Sequence, residues 1–267
     1  MGKGAEMEYP DYKYLADLAF QAGRIMNRAF GMRGRFKDDG SPVTLADIAI
    51  NKRVIRQISL DFPRISVIGE EGSREVPDAK YEIYCDPICG TIPFCLGCSV
   101  FSFCVSVVRE QKPLIALIYD PSPGRERTWH AERGKGAFLN KDPVRVSEFS
   151  SLAVSAVCMA WWRDAPYNLS KMFGKLLKKA RVCLNPAALA YFGGLTASGH
   201  IEATVYAGNY VWEAPAMQLI VEEAGGRFTD LKGNNVSFGK KRTICGHIAS
   251  NGLVHEELVS MARECLE

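Results

Sequence analysis

No stretch of this chain approaches the roughly 20 consecutive apolar residues that a bilayer-crossing helix needs, so a membrane span is not expected. Charge of one sign is never concentrated either. Lys and Arg are scattered apart from the short Lys178-Lys179 and Lys240-Lys241-Arg242 clusters, and the net charge is only +3, so neither a nucleic-acid nor a membrane-surface function is expected. The polar start Met1-Gly2-Lys3-Gly4-Ala5-Glu6 lacks the apolar segment of a secretion signal, and the expectation is a cytoplasmic protein. Internal repeats, low-complexity stretches and long linkers are missing, which excludes solenoid and disordered architectures. An odd number of cysteines, nine, cannot all pair within one chain, and with no leader they are expected as reduced thiols. What remains is an ordinary globular composition, 47% apolar, 24% charged and 10% aromatic, over 267 residues, enough for one large domain or two modest ones.

Periodicity divides the chain near residue 147. Leu15, Leu18, Ala19, Ala22, Ile25, Met26 and Ala29 recur at helical spacing and predict a helix over residues 9–30, with Gly31 able to end it. A polar stretch from Arg35 to Pro42 follows. Thr44 with Asp47 three positions on fits a capping pair for a second helix, whose buried face is Ile48, Val54, Ile55 and Ile58. Strands are expected over 65–68, 81–84, 101–108, 114–119, 128–131, 137–139 and 144–146, largely antiparallel. Residues 1–147 thus read as an α+β half. In residues 148–267 strand candidates (154–159, 181–184, 201–206, 226–229, 243–249) alternate with helix candidates (169–179, 186–198, 212–224, 253–266), an α/β pattern.

The chemistry-bearing residues cluster in four segments: Val43-Thr44-Leu45-Ala46-Asp47, Gly69-Glu70-Glu71, Asp86-Pro87-Ile88-Cys89-Gly90-Thr91, and Trp212-Glu213-Ala214-Pro215-Ala216 running on to Glu222-Glu223-Ala224-Gly225-Gly226. Carboxylates on turns are the usual way to hold hard cations, which a catalyst of phosphate-ester hydrolysis needs to neutralise the phosphoryl oxygens and acidify water. Each also has a plain reading. Asp47 can be a helix cap, Glu70-Glu71 a solvated turn, and Asp86-Pro87 a turn opener.

Taken together, the four segments resemble the inositol monophosphatase superfamily, in order and spacing, over nearly the whole chain. The resemblance implies an αβαβα layered sandwich and a metal-dependent phosphomonoesterase, a homodimer acting on a small phosphorylated metabolite such as a sugar, polyol or nucleotide phosphate. It implies that Glu70, Asp86 and the Ile88 carbonyl bind Mg²⁺, that Asp86 bridges to a second ion whose other ligand positions fall at Cys89 and Glu213, and that Asp47 and Glu70 hold a third. Thr91 with Asp47 would orient the attacking water, Gly90 and Thr91 would receive the phosphate, and Glu213 would border the substrate.

This chain departs from the family pattern where it has Cys89 and Glu213 at positions that usually carry Asp, Pro93 for a polar residue, and Asn185-Pro186-Ala187-Ala188 for a Gly-Ser-Ala or Gly-Thr-Ala run. A thiol and a longer carboxylate on one ion would weaken Mg²⁺ binding, retune the site toward Zn²⁺, Mn²⁺ or Fe²⁺, or abolish it. Cys89 at a helix start has two readings, a nucleophilic thiolate or an inert filler of a vacated ligand position. The rival to hydrolysis is accordingly a member of the same fold turned to a Cys89-dependent reaction or to ligand binding alone. Cys95 and Cys98 have the spacing of a redox or zinc pair, but no second such pair follows and the four histidines are distant in sequence. Cys85 and Cys104 read as buried strand residues. Trp161-Trp162 and Tyr191-Phe192 belong to the second half's loop and helix and read as pocket lining, as core or as a dimer contact. Tyr206 falls where many family members place a substrate-binding acid, which makes inositol a less secure substrate.

Overall fold

The computed structural model describes residues 7–38, 40–239 and 242–266. The polar start, Asp39 of the polar stretch, and Lys240-Lys241 of the second basic cluster lie outside the described residues.

The first apolar stripe folds as α1 (Tyr12–Ala29), opened by Asp11, whose carboxylate accepts from the Tyr14 amide. Such a cap is worth about 1 kcal/mol. The polar stretch forms a small hairpin, β1 (Arg35–Phe36) with β2 (Pro42–Val43), where the sequence pattern indicated only loop. Then comes α2 (Leu45–Asp61), whose Thr44 and Asp47 form the reciprocal capping box that their spacing predicts. Strands β3 (Ser66–Gly69), β4 (Gly72–Arg74) and β5 (Tyr81–Cys89) lead into the short helix α3 (Thr91–Cys95). A meander completes the first sheet: β6 (Ser102–Arg109), β7 (Lys112–Asp120), β8 (Arg127–Glu132), β9 (Ala137–Leu139) and β10 (Asp142–Val144). The last strand ends where the pattern put its beginning, because it turns back on β9 in a tight hairpin.

The remainder comprises β11 (Ala156–Ala160), α4 (Ser170–Lys179), β12 (Val182–Leu184), α5 (Leu189–Ala197), β13 (Ala203–Tyr206), α6 (Ala214–Glu223), β14 (Arg227–Thr229), β15 (His247–Ser250) and α7 (His255–Leu266). Eight strands run in the order β10-β9-β8-β7-β6-β5-β3-β4, antiparallel except for the parallel pair β3 and β5. Five run β12-β11-β13-β15-β14, parallel on one side and antiparallel on the other.

Layering follows from which faces are apolar. α1 and α2 cover one face of the larger sheet through Leu15, Met26, Ile50 and Ile58. α5 and α6 are buried on nearly every side, since they lie between the sheets, and α4 with α7 closes the outer face of the smaller sheet. The result is the αβαβα sandwich. Tyr191 and Phe192 belong to its core, with Tyr191 against the Arg127 guanidinium. All nine cysteines are free, and Cys85 and Cys104 are buried in β5 and β6. No helix among the described residues is long and apolar enough to cross a membrane.

Candidate functional site

The parallel pairing of β3 with β5 builds the site. Gly69 pairs with Cys85, so the next residues, Glu70 and Asp86, emerge side by side from the ends of adjacent strands, and the Glu70 amide donates to the Cys85 carbonyl at 3.2 Å. Past Asp86 the register with β6 breaks, with Asp86 opposite Cys104 and Cys89 opposite Ser102. This bulge turns the chain out of the sheet, as bulges beside active sites do. Gly90 then takes φ of 100°, and a β-carbon there would fall 2.9 Å from the Val100 carbonyl and 3.0 Å from the Ala188 methyl. Only glycine permits the turn into α3.

These residues border a cleft of about 420 Å³. Its floor includes Glu70, Asp86, Ile88, Cys89, Gly90 and Thr91, and Glu213 reaches it from the start of α6. Asp47 stands behind the floor: the Thr91 hydroxyl lies 3.5 Å from its carboxylate and donates at 3.0 Å to the Ile88 carbonyl. Every site residue read from the sequence is therefore brought to one end of the larger sheet.

The electrostatics are those of carboxylates crowded out of water. Burial, with repulsion from Glu71, pushes Asp47 up to about 6. Burial outweighs the neighbouring Lys37 ammonium to push Glu70 up to about 7, with Glu71 and Asp47 adding repulsion. Glu213 rises to about 8 through burial and the nearby Glu70. Asp86 is raised well above the usual carboxylate range by burial and then by Glu70, Glu213 and Asp47. Its Oδ1 is buried without a hydrogen-bond partner among the described residues. Buried anions repelling one another, one with an unsatisfied oxygen, fit a multivalent hard cation. Among the described residues no three His, Cys, Asp or Glu side chains are yet drawn into a closed ligand cage.

Cys89 is surrounded unfavourably for a thiolate. It is 6% exposed, and burial with the Asp86 and Glu213 charges pushes its pKa well up, outweighing the hydrogen bond its sulfur accepts from the Ala190 amide at 3.2 Å. The helix that follows spans only five residues and does not offset this. Cys95 is half-buried in α3, and Cys98 is exposed beyond it.

The sequence reading missed Lys37. From the loop after β1 its ammonium reaches Glu71 at 2.9 Å and Glu70 at 3.4 Å, a long-range pairing that no local pattern announces. It also left open the aromatic part of the lining, where Trp161 and Trp162, following β11, border the cleft with Tyr206, Tyr210 and Trp212.

Comparison with known proteins agrees with this fold. Residues 9–267 match the model of the inositol monophosphatase family. The chain is 30% identical over 254 residues to a histidinol-phosphatase of Mycobacterium tuberculosis, covering 92% of this chain and 94% of that protein. It is 32% identical over 227 residues to a fructose-1,6-bisphosphatase/inositol-1-monophosphatase of Thermotoga maritima, covering 84% of each. Among solved structures, a Thermotoga maritima IMPase superposes with a TM-score of 0.84 at 26% identity, over 95% of this chain and 97% of that one. With acids from four separate segments gathered at the end of β3 and β5 in an αβαβα sandwich, this chain belongs to the inositol monophosphatase family.

Proposed function

We propose that the protein hydrolyses a small phosphomonoester, a sugar, polyol or nucleotide phosphate, with the help of a divalent cation. The observation that carries this is the convergence of Asp47, Glu70, Asp86 and Glu213, raised in pKa by burial and by one another, around a cleft large enough for a small metabolite. Glu70, Asp86, Glu213 and the Ile88 carbonyl would hold Mg²⁺, with Mn²⁺ or Zn²⁺ as replacements favoured by the sulfur of Cys89. Such a cation neutralises phosphoryl oxygens and lowers the pKa of bound water.

The chain's own residues do the rest. Thr91, fixed between Asp47 and the Ile88 carbonyl, would orient the attacking water. The bulge and Gly90 aim the start of α3 at the cleft, where the Gly90 and Thr91 amides would receive the phosphate. Burial of Cys89 beside two carboxylates disfavours it as a nucleophile and supports a spectator thiol.

A second reading, a family member that binds a phosphorylated ligand without turning it over, is favoured by Cys89 and Glu213 at two inferred ligand positions. Phosphate release from p-nitrophenyl phosphate, inositol 1-phosphate and fructose 1,6-bisphosphate under Mg²⁺, Mn²⁺, Zn²⁺ and EDTA separates the two. Hydrolysis predicts metal-dependent turnover that Glu70→Gln and Asp86→Asn abolish and that Cys89→Ser leaves within a few-fold. Metal-independent turnover destroyed by Cys89→Ser would establish the thiol reaction instead. Ligand binding without turnover under any metal would establish the second reading.

A further inference from the structure

The cleft's aromatic lining carries an identity that the acids do not. Trp162, Tyr206, Tyr210 and Trp212 all belong to it, contributed by the loop after β11, by the end of β13 and by the loop that follows. Tyr210 and Trp212 are stacked, with ring centroids 5.6 Å apart and an interplanar angle of 18°. Trp162 lies 6.2 Å from Tyr206 at 40°, and it is 42% exposed, a large apolar ring left open to the cleft. Tyr206 is held in place by an absence: a β-carbon at Gly208 would sit 2.2 Å from its hydroxyl and from the ring carbon that bears it.

Asp164 and Asn185, polar side chains of the same lining, are exposed or already engaged. The Asp164 carboxylate is three-quarters exposed and paired with its neighbour Arg163 at 3.2 Å. The Asn185 amide donates to the Trp161 carbonyl at 2.7 Å. A polyol needs several rigid partners for its hydroxyls, whereas a flat ring needs only faces and edges of other rings.

We propose that the substrate's alcohol portion carries an aromatic or heteroaromatic ring, seated against Trp162 and Tyr206 while its phosphate meets the acidic floor. This rests on the reading of the cleft as a phosphomonoester site, and it names the substrate class within that reading. Aromatic packing of this kind discriminates by roughly tenfold over a saturated ring of equal size.

Benzyl phosphate and cyclohexylmethyl phosphate test it, since both release a primary alcohol of the same carbon skeleton and differ in the flatness and π-electrons of the ring. The expected result with the Mg²⁺-loaded protein is a kcat/KM about tenfold higher for benzyl phosphate. In parallel, quenching of tryptophan fluorescence by the non-hydrolysable benzylphosphonate should give a Kd about tenfold below that of cyclohexylmethylphosphonate. Trp162→Ala, at an exposed position that leaves the core intact, should bring both ratios near one. Gly208→Ala should do the same by displacing Tyr206. Equal binding of the two phosphonates by the unmodified protein, or a preference that survives Trp162→Ala, would overturn the inference while leaving the phosphomonoester site standing. Absence of binding by either phosphonate, in a protein whose circular dichroism shows it folded, would overturn the reading of the site and the inference with it.

Discussion

The larger sheet meets the cleft with Glu70, Asp86 and the bulged turn to Thr91, while the smaller sheet meets it through Trp161, Trp162 and Tyr206 at the ends of β11 and β13. The first wall is dense in buried carboxylates that raise one another's pKa, and the second is aromatic. The carboxylates, with Glu213 joining them from the start of α6, are held against their own electrostatic repulsion, and the rings are not. On the proposed function, that repulsion sets activity against stability, a common cost of a preorganised site.

The sharpest way to break this contrast is Asp86→Asn. Removing the carboxylate whose Oδ1 has no partner should lower kcat/KM by about a thousandfold or more, because a cation's charge neutralisation is worth several kcal/mol. The same change should stabilise the metal-free protein, since folding no longer has to protonate a buried carboxyl or hold it charged among like charges. Urea denaturation in EDTA measures the second effect. A metal-free variant less stable than its parent would show that Asp86 is a structural residue.

Next in size is the seam between the two sheets. Gly194 of α5 lies so close to the buried Trp129 of β8 that a β-carbon would fall 2.4 Å from the indole ring. At the neighbouring Gly193 the added carbon would meet Met217, 2.7 Å from its terminal methyl and 2.9 Å from Cγ, an unbranched side chain that yields more readily than an indole ring. Gly194→Ala should therefore cost about 2 kcal/mol by overpacking, and Gly193→Ala markedly less. Equal costs at the two positions would mean that α5 shifts as a body, and that the sheets are not held in fixed register across it.

How far the sequence foretells these walls depends on where the physical signal is local. α1 and α2 are legible because their apolar stripes face one sheet, and the Thr44-Asp47 capping box is a three-residue pattern. α5 is less legible. It is apolar on all sides between the sheets, so periodicity misses its start at Leu189, three residues after the Pro186 that the pattern took as the beginning. β4 and α3 leave no periodic trace, being three and five residues long. Among the site residues, Glu70 and Asp86 gain meaning only jointly, through a strand pairing that no single segment encodes. The surroundings that keep Cys89 protonated are burial and the charges of Asp86 and Glu213, the second of them far away in the chain, and Lys37 finds its carboxylates across a shorter gap, between a hairpin loop and the end of β3.

Acid and alkali should separate the two sheets as well. His247 and His255 belong to the smaller sheet and α7, and burial lowers them from 6.5 to about 3 and about 4. His255 is held neutral between the Thr229 and Ser250 hydroxyls, at 2.9 and 2.8 Å. A base with a depressed folded pKa contributes stability above its unfolded value, so this contribution is lost as pH falls from 6.5 toward 4. The expected loss from His255, which is fully buried, is about 3 kcal/mol. The acids run the other way. With folded pKa values raised to about 6, 7 and 8, Asp47, Glu70 and Glu213 contribute most at pH below the unfolded carboxylate range and lose that contribution as pH rises through those values. Metal-free stability should accordingly peak in mildly acidic solution. Saturating Mg²⁺ should remove the alkaline decline and leave the acid one. An alkaline decline that persists in Mg²⁺ would separate the carboxylates from cation binding.

The smallest effect concerns strain on the substrate wall. Ala187 lines the cleft with φ of 53°, a left-handed conformation that a β-carbon disfavours by about 1 kcal/mol. Ala187→Gly relieves the strain at the cost of a more flexible unfolded chain, so the net gain should be about 0.5 kcal/mol, seen as a rise of about 1 °C in thermal midpoint. Asp78 supplies the control, with φ of 55° in a turn between β4 and β5. Asp tolerates that conformation through its own short side chain, so Asp78→Gly should gain nothing. A gain confined to Ala187 places the stored strain beside the cleft, where it fixes the approach to α5 and the Ala188 methyl against Gly90. Equal gains at both positions would make it an ordinary feature of the chain's turns.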